Sequence, residues 1–164
     1  MLSFAARLRP IWPVLAGLVS AALLAGAHAF QRLGGLQPCP LCLDQRNWHW
    51  GVLAAALAGL LTLRFAPGLA RWVALGLGLV LLGSFAQAAY HVAVEQHWVV
   101  AQCDARAVNL NDLAFDVNAP LETPRCDEIA WSLFGISMAG YNALISLAAA
   151  VASFVVAAAP ERKP

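Results

Sequence analysis

Four long stretches of this chain carry no Asp, Glu, Lys or Arg: Pro10 to Gln31, Asn47 to Leu63, Trp72 to Val94, and Ile129 to Pro160, of 22, 17, 23 and 32 residues. A helix crosses a bilayer with about 20 apolar residues, within roughly 17–25. Each stretch therefore fits one crossing, and the last is too short for two with a turn between them. Helix is preferred to strand because backbone groups in hydrocarbon must be paired within the segment, and no period-two alternation marks a barrel strand. Small residues such as Gly76, Gly78 and Gly83 let helices approach closely. With 61% of its residues hydrophobic and 12% charged, a 164-residue chain cannot hide its apolar surface in a soluble fold. Those proportions exclude a soluble enzyme, a nucleic-acid binder and a disordered chain. The expectation is an all-α membrane protein, a four-transmembrane-helix bundle, with spans at about 11–30, 47–64, 71–91 and 138–159 and outer loops at about 31–46 and 92–137.

The loops orient the bundle. Arg7 and Arg9 ahead of an apolar run ending Ala27-His28-Ala29 imitate a cleavable signal, but the run exceeds the usual 7–15-residue core of one and is read as the first span. The termini and the Arg64–Arg71 connection then share a side holding six basic residues and one acid, net +5. The other side holds four basic residues and eight acids, net −4. Basic residues mark the cytoplasmic side, so both termini are expected there.

All four cysteines fall on the other side. Cys39 and Cys42 precede the second span, and Cys103 and Cys126 precede the fourth. An oxidising outer compartment is where disulfides persist. Pro38-Cys39-Pro40-Leu41-Cys42 places a C-x-x-C where a helix begins, and unpaired N–H groups there favour a thiolate. Arg46, four residues after Cys42, lies on the same face one turn deeper and adds a fixed positive charge. Between Cys103 and Cys126 lie 22 residues rich in acids and proline. They have little with which to build a core, so this loop is expected to move and a disulfide closing it to be labile. A zinc site is disfavoured by the wide spacing of the second pair and by the compartment, and no metal is expected. Two inert disulfides stapling a structural membrane protein are the alternative reading. The position of Cys42 and Arg46 argues instead for a relay, with electrons entering at the loop pair and leaving at the membrane edge to a lipid-soluble quinone.

Other residues take simpler readings. His91 ends the third span, where a proton-accepting group would assist quinone reduction. His28 and His49 lie in apolar runs and are read as neutral imidazoles bonded to neighbours. Trp48, Trp50, Trp98 and Trp131 are read as interfacial anchors. Val92 to Ala101 has the pattern of a short surface helix.

Pro38-Cys39-Pro40-Leu41-Cys42 with Gln45-Arg46, Tyr90-His91 with Glu95, and Arg125-Cys126-Asp127-Glu128 followed by Trp131 to Asn142 resemble the disulfide bond formation protein B (DsbB) family over nearly the whole chain. The resemblance implies a bacterial inner-membrane dithiol:quinone oxidoreductase that re-oxidises a periplasmic DsbA-type thiol oxidase. It implies that the Cys103–Cys126 disulfide is attacked by the reduced oxidase, with Cys103 carrying the mixed disulfide. Cys126 then attacks the Cys39–Cys42 disulfide, joins Cys39 and releases Cys42. Cys42 passes electrons to ubiquinone, or to menaquinone when oxygen is scarce, with Arg46 and His91 at the quinone ring. Pro40 inside the C-P-L-C motif removes a donor and stiffens the turn.

Overall fold

The computed structural model describes residues 2–100 and 124–160. Its helices are α1 (Leu2–Leu8), α2 (Trp12–Arg32), α3 (Pro40–Phe65), α4 (Ala70–Glu95) and α5 (Met138–Ala158). Pro10 and Pro13 cannot donate to a helical ladder, and a 3₁₀ turn at Arg9–Ile11 joins α1 to α2 where they fall. Among the described residues, four segments are long and apolar enough to cross a membrane: Phe4–Arg32, Pro40–Phe65, Pro67–Glu95 and Met138–Ala158, with mean hydropathy 1.7, 1.2, 1.8 and 1.9. The second is the least apolar because Asp44, Gln45, Arg46 and His49 lie within the helix.

Lipid tails supply no hydrophobic drive between helices, so these spans associate through close packing and buried polar bonds. Ala16, Val52, Ala56, Ala74, Leu77, Leu81 and Ala150 form the buried centre. The most extensive helix pairing is α4 with α5. It depends on Gly78, where an added Cβ would stand 2.8 Å from the Phe154 ring. Gly83 gives the same clearance to Trp48 on α3, whereas Gly76 faces open space and plays no part in packing.

The ends of the helices are closed in specific ways. The buried Arg9 guanidinium donates to the Val156, Ala157 and Ala159 carbonyls, at 2.9 and 3.2 Å for the first two. It thereby caps the C-terminus of α5, where the carbonyls lack intrahelical partners and the dipole favours a cation. Trp12 Nε1 donates to Ser153 Oγ at 2.9 Å and ties the same ends together. Val92 to Glu95 continue α4 rather than starting a surface helix. The helix stops when His97 enters the left-handed region at φ 58°, with the His97 N–H bonded to the Val94 carbonyl and the Trp98 N–H to the Ala93 carbonyl.

The chain returns to α5 through a small antiparallel hairpin, β1 (Ser132–Leu133) with β2 (Ile136–Ser137), which helix-centred reading does not anticipate. Phe134 (φ 51°) and Gly135 (φ 77°) supply the two positive φ angles of its two-residue turn. Ser137 then caps α5, its hydroxyl accepting from the Gly140 N–H at 3.1 Å.

Candidate active site

Cys39 is the N-cap of α3, and Pro40 occupies the first helical position, where its missing N–H costs no bond. Pro40 thus fits the start of the helix instead of disturbing it. The Cys42 N–H donates to Cys39 Sγ at 3.2 Å, and the two sulfurs are 2.7 Å apart as free thiols. The cap bond of α3 is made by the Cys39 sulfur, and Cys42 in the first turn supplies the N–H. Cys39 is buried and Cys42 half-buried. The Cys39 thiol is pushed well above the usual thiol range, first by the hydrogen bond it shares with Cys42 and then by burial. It therefore keeps its proton at neutral pH. In the reduced protein, iodoacetamide is expected to label Cys42 first, with no gain in Cys39 labelling between about pH 7 and pH 9, as read by peptide mass mapping. Prompt labelling of Cys39 would reverse the assignment.

Cys126, disulfide-bonded and 1% exposed, is brought into one buried cluster with Cys39 and Val94, against Leu41 and Cys42. Its backbone is also a hydrogen-bond partner of His91. Cys103 and the loop expected to move lie outside the described residues.

His91, on α4, stands with Nε2 3.7 Å from Cys39 Sγ and 4.0 Å from Glu95 Oε1. Glu95 in turn accepts from the Ser137 hydroxyl. The ligating atoms of Cys39, Cys42 and His91 lie within 4.8 Å of one another, a convergence that a thiophilic ion also accepts. Arg46 donates to Gln31 Oε1 and, at 3.1 Å, to the Ala27 carbonyl, so it joins α3 to the end of α2.

These groups meet at one cavity of about 360 Å³ between α2, α3, α4 and α5, which Cys42, Arg46, His91 and Glu95 line. Ala22, Leu23, Gly26, Ala27 and Ile145 form its apolar wall. Trp131 is part of that wall rather than a free interfacial anchor, its ring 4.9 Å from Phe30 and 6.3 Å from Tyr141.

Sequence reasoning missed a buried polar chain behind the thiols. Gln45 bonds His91 Nδ1 at 2.6 Å and accepts from Asn142 at 2.6 Å. Asn142 Oδ1 lies 2.7 Å from His49 Nε2, and His49 Nδ1 lies 3.2 Å from Ser20 Oγ. His49 is thus bonded to its neighbours, as its place in an apolar run implies; His28 is half-buried on α2. Among the described residues, no buried side-chain nitrogen or oxygen lacks a partner.

A vicinal dithiol at the head of a membrane helix, facing a second cysteine and a largely apolar cavity, defines a membrane thiol–disulfide oxidoreductase. The family model for disulfide bond formation protein DsbB matches residues 9–156. Disulfide bond formation protein B of Actinobacillus pleuropneumoniae is 34% identical over 140 residues, 79% of this chain and 74% of the relative. That of Dechloromonas aromatica is 33% identical over 146 residues, 82% and 83% of the two chains. Disulfide bond formation protein B 2 of Pseudomonas putida is 31% identical over 150 residues, 89% and 88%. No solved structure matches the chain at a significant level. The chain belongs to the DsbB family. It is a multi-pass inner-membrane oxidoreductase of the disulfide-forming system, in a family that re-oxidises DsbA and is linked to quinone.

Proposed function

We propose that this chain re-oxidises a DsbA-type thiol oxidase at its periplasmic face through two cysteine pairs and delivers the electrons to ubiquinone, with menaquinone the acceptor when oxygen is scarce. In this reading both termini face the cytoplasm and all four cysteines the periplasm, as the distribution of basic residues supports. The reduced oxidase attacks the Cys103–Cys126 disulfide and is held as a mixed disulfide on Cys103. The freed Cys126 attacks Cys39 and displaces Cys42. The partner's second thiol resolves the mixed disulfide and frees Cys103, which attacks Cys126, re-forms the Cys103–Cys126 disulfide and releases Cys39. Each exchange requires one thiolate to attack and another sulfur to leave. The observation that carries this reading is the burial of Cys126 against Cys39, beside the cavity that Cys42 lines.

The residues present fit a quinone head group. An apolar wall suits the ring, and Arg46 and His91 offer N–H groups to carbonyl oxygens. A bound quinone supplies a two-electron, two-proton acceptor. Closing the Cys39–Cys42 disulfide releases two electrons and two protons, which reduce quinone to quinol, so the sum is partner dithiol plus quinone giving partner disulfide plus quinol. The chain's own part is to hold Cys39 protonated beside His91 and to keep Cys42 and Arg46 at the wall.

Anaerobic stopped-flow absorbance with purified protein, a quinone and reduced DsbA-type oxidase is expected to show one quinol formed per partner disulfide. Absence of quinol formation, with both disulfides inert to the reduced partner, would establish the structural alternative instead.

A further inference from the structure

The cavity is lined by polar groups, Gln45, His49 and Asn142, that the thiol chemistry does not use. Cys42, Gln45, Arg46 and His49 fall at i, i+3, i+4 and i+7 of α3, so they share one face, and all four line the cavity together with Asn142 of α5. Gln45 and Asn142 are 7% and 9% exposed.

Both amides have definite partners in the structure. Asn142 Oδ1 accepts from the Ser146 hydroxyl at 3.1 Å and faces His49 Nε2 at 2.7 Å. Its nitrogen faces Gln45, whose Oε1 accepts one of its hydrogens. The Gln45 nitrogen faces His91 Nδ1, and with that nitrogen donating, the neutral His91 tautomer is Nε2–H, toward Cys39 and Glu95. An amide nitrogen carries two hydrogens, and each of these amides spends one within the chain. Each retains a second N–H, and both residues line the cavity.

We propose that Asn142 and Gln45 supply neutral N–H donors to a carbonyl oxygen of the quinone ring at the deep end of the pocket, with His49 a positioning residue that holds Asn142 in the donating orientation. This rests on the reading of the cavity as the quinone berth. His49 itself has no bond to spare, since Ser20 meets Nδ1 and Asn142, with Ser84 farther off at 3.5 Å, meets Nε2. Its action passes through Asn142. If His49 were lost, Asn142 would keep only the Ser146 bond on its oxygen, and its amide would be freer to turn its nitrogen away from Gln45.

The test uses full-length protein in lipid nanodiscs, with ubiquinone carrying ¹³C at one ring carbonyl or the other so that the two carbonyl infrared bands are separable. In the parent protein one band is expected at lower frequency than in lipid alone. Asn142→Leu is expected to return that band upward and to raise the quinone KM roughly 3- to 10-fold, the size of one neutral hydrogen bond. His49→Leu is expected to do the same, and His49→Gln, which keeps an N–H for Asn142, to restore both. Unchanged bands and KM in Asn142→Leu and His49→Leu would overturn the proposal, as would a His49→Gln variant no better than His49→Leu. A parent protein that neither shifts a band nor forms quinol overturns the reading of the berth itself, so the two failures are distinguishable.

Discussion

Replacing Cys42 with serine is expected to abolish quinone reduction by the reduced partner, below detection in the stopped-flow assay. A hydroxyl cannot form the Cys39–Cys42 disulfide, so the freed Cys126 has no disulfide to attack and the two electrons go no further. The loss would be chemical, because the cap of α3 uses the Cys42 backbone N–H and the Cys39 sulfur, and serine preserves both. Cys42 is half-buried at the edge of the cavity, where one smaller atom leaves little void. The mixed disulfide between the partner and Cys103 does not require Cys42 and is expected to persist, visible on a non-reducing gel. Retained quinol formation in Cys42→Ser would remove it from the electron path. Loss of the mixed disulfide as well would place its role earlier, at partner capture.

Much of this arrangement was legible in spacing, for a physical reason. In a chain with so few polar residues inside its spans, those deep in a helix tend to mark its inward face, because lipid offers them no partner, although Asp44, Asn47 and Thr62 of α3 do not lie on it. Ser84, His91 and Glu95 recur along one face of α4, and Asn142, Ser146 and Ser153 along one face of α5. The i+3 and i+7 positions after Cys42 hold Gln45 and His49, so a face count on α3 identifies the polar chain that a search for charged residues misses. What spacing does not carry is which faces meet. That Asn142 lies between Gln45 and His49, that Cys126 is buried against Cys39, and that Trp131 closes the cavity all depend on contacts between segments far apart in the chain. The hairpin was hidden for a different reason. Phe134 adopts a positive φ that its residue type disfavours, and only the adjoining Gly135 signals the turn. Arg9 entered the orientation count as a cytoplasmic charge, which is compatible with its bonds to the end of α5, but those bonds have no mark in its own neighbourhood.

For Arg46→Ala the expected result is a rise in quinone KM of roughly 10- to 150-fold, corresponding to the loss of a charge-assisted hydrogen bond of about 1.5–3 kcal/mol. The guanidinium has five N–H donors, and the bonds to Gln31 and Ala27 leave others for the cavity that Arg46 lines. Because those bonds join α3 to the end of α2, the alanine variant both removes a donor and loosens one wall of the berth. Two further variants separate the effects. Gln31→Leu cuts the tie and keeps the guanidinium, so its KM is expected to rise far less than that of Arg46→Ala. Arg46→Lys keeps the charge but loses the planar fork, which alone holds two protein partners while donating to a third group, so it is expected to restore only part of the affinity. Equal effects of Gln31→Leu and Arg46→Ala would show that Arg46 acts by holding α2. Quinone kinetics unchanged in Arg46→Ala would move the berth away from this cavity altogether.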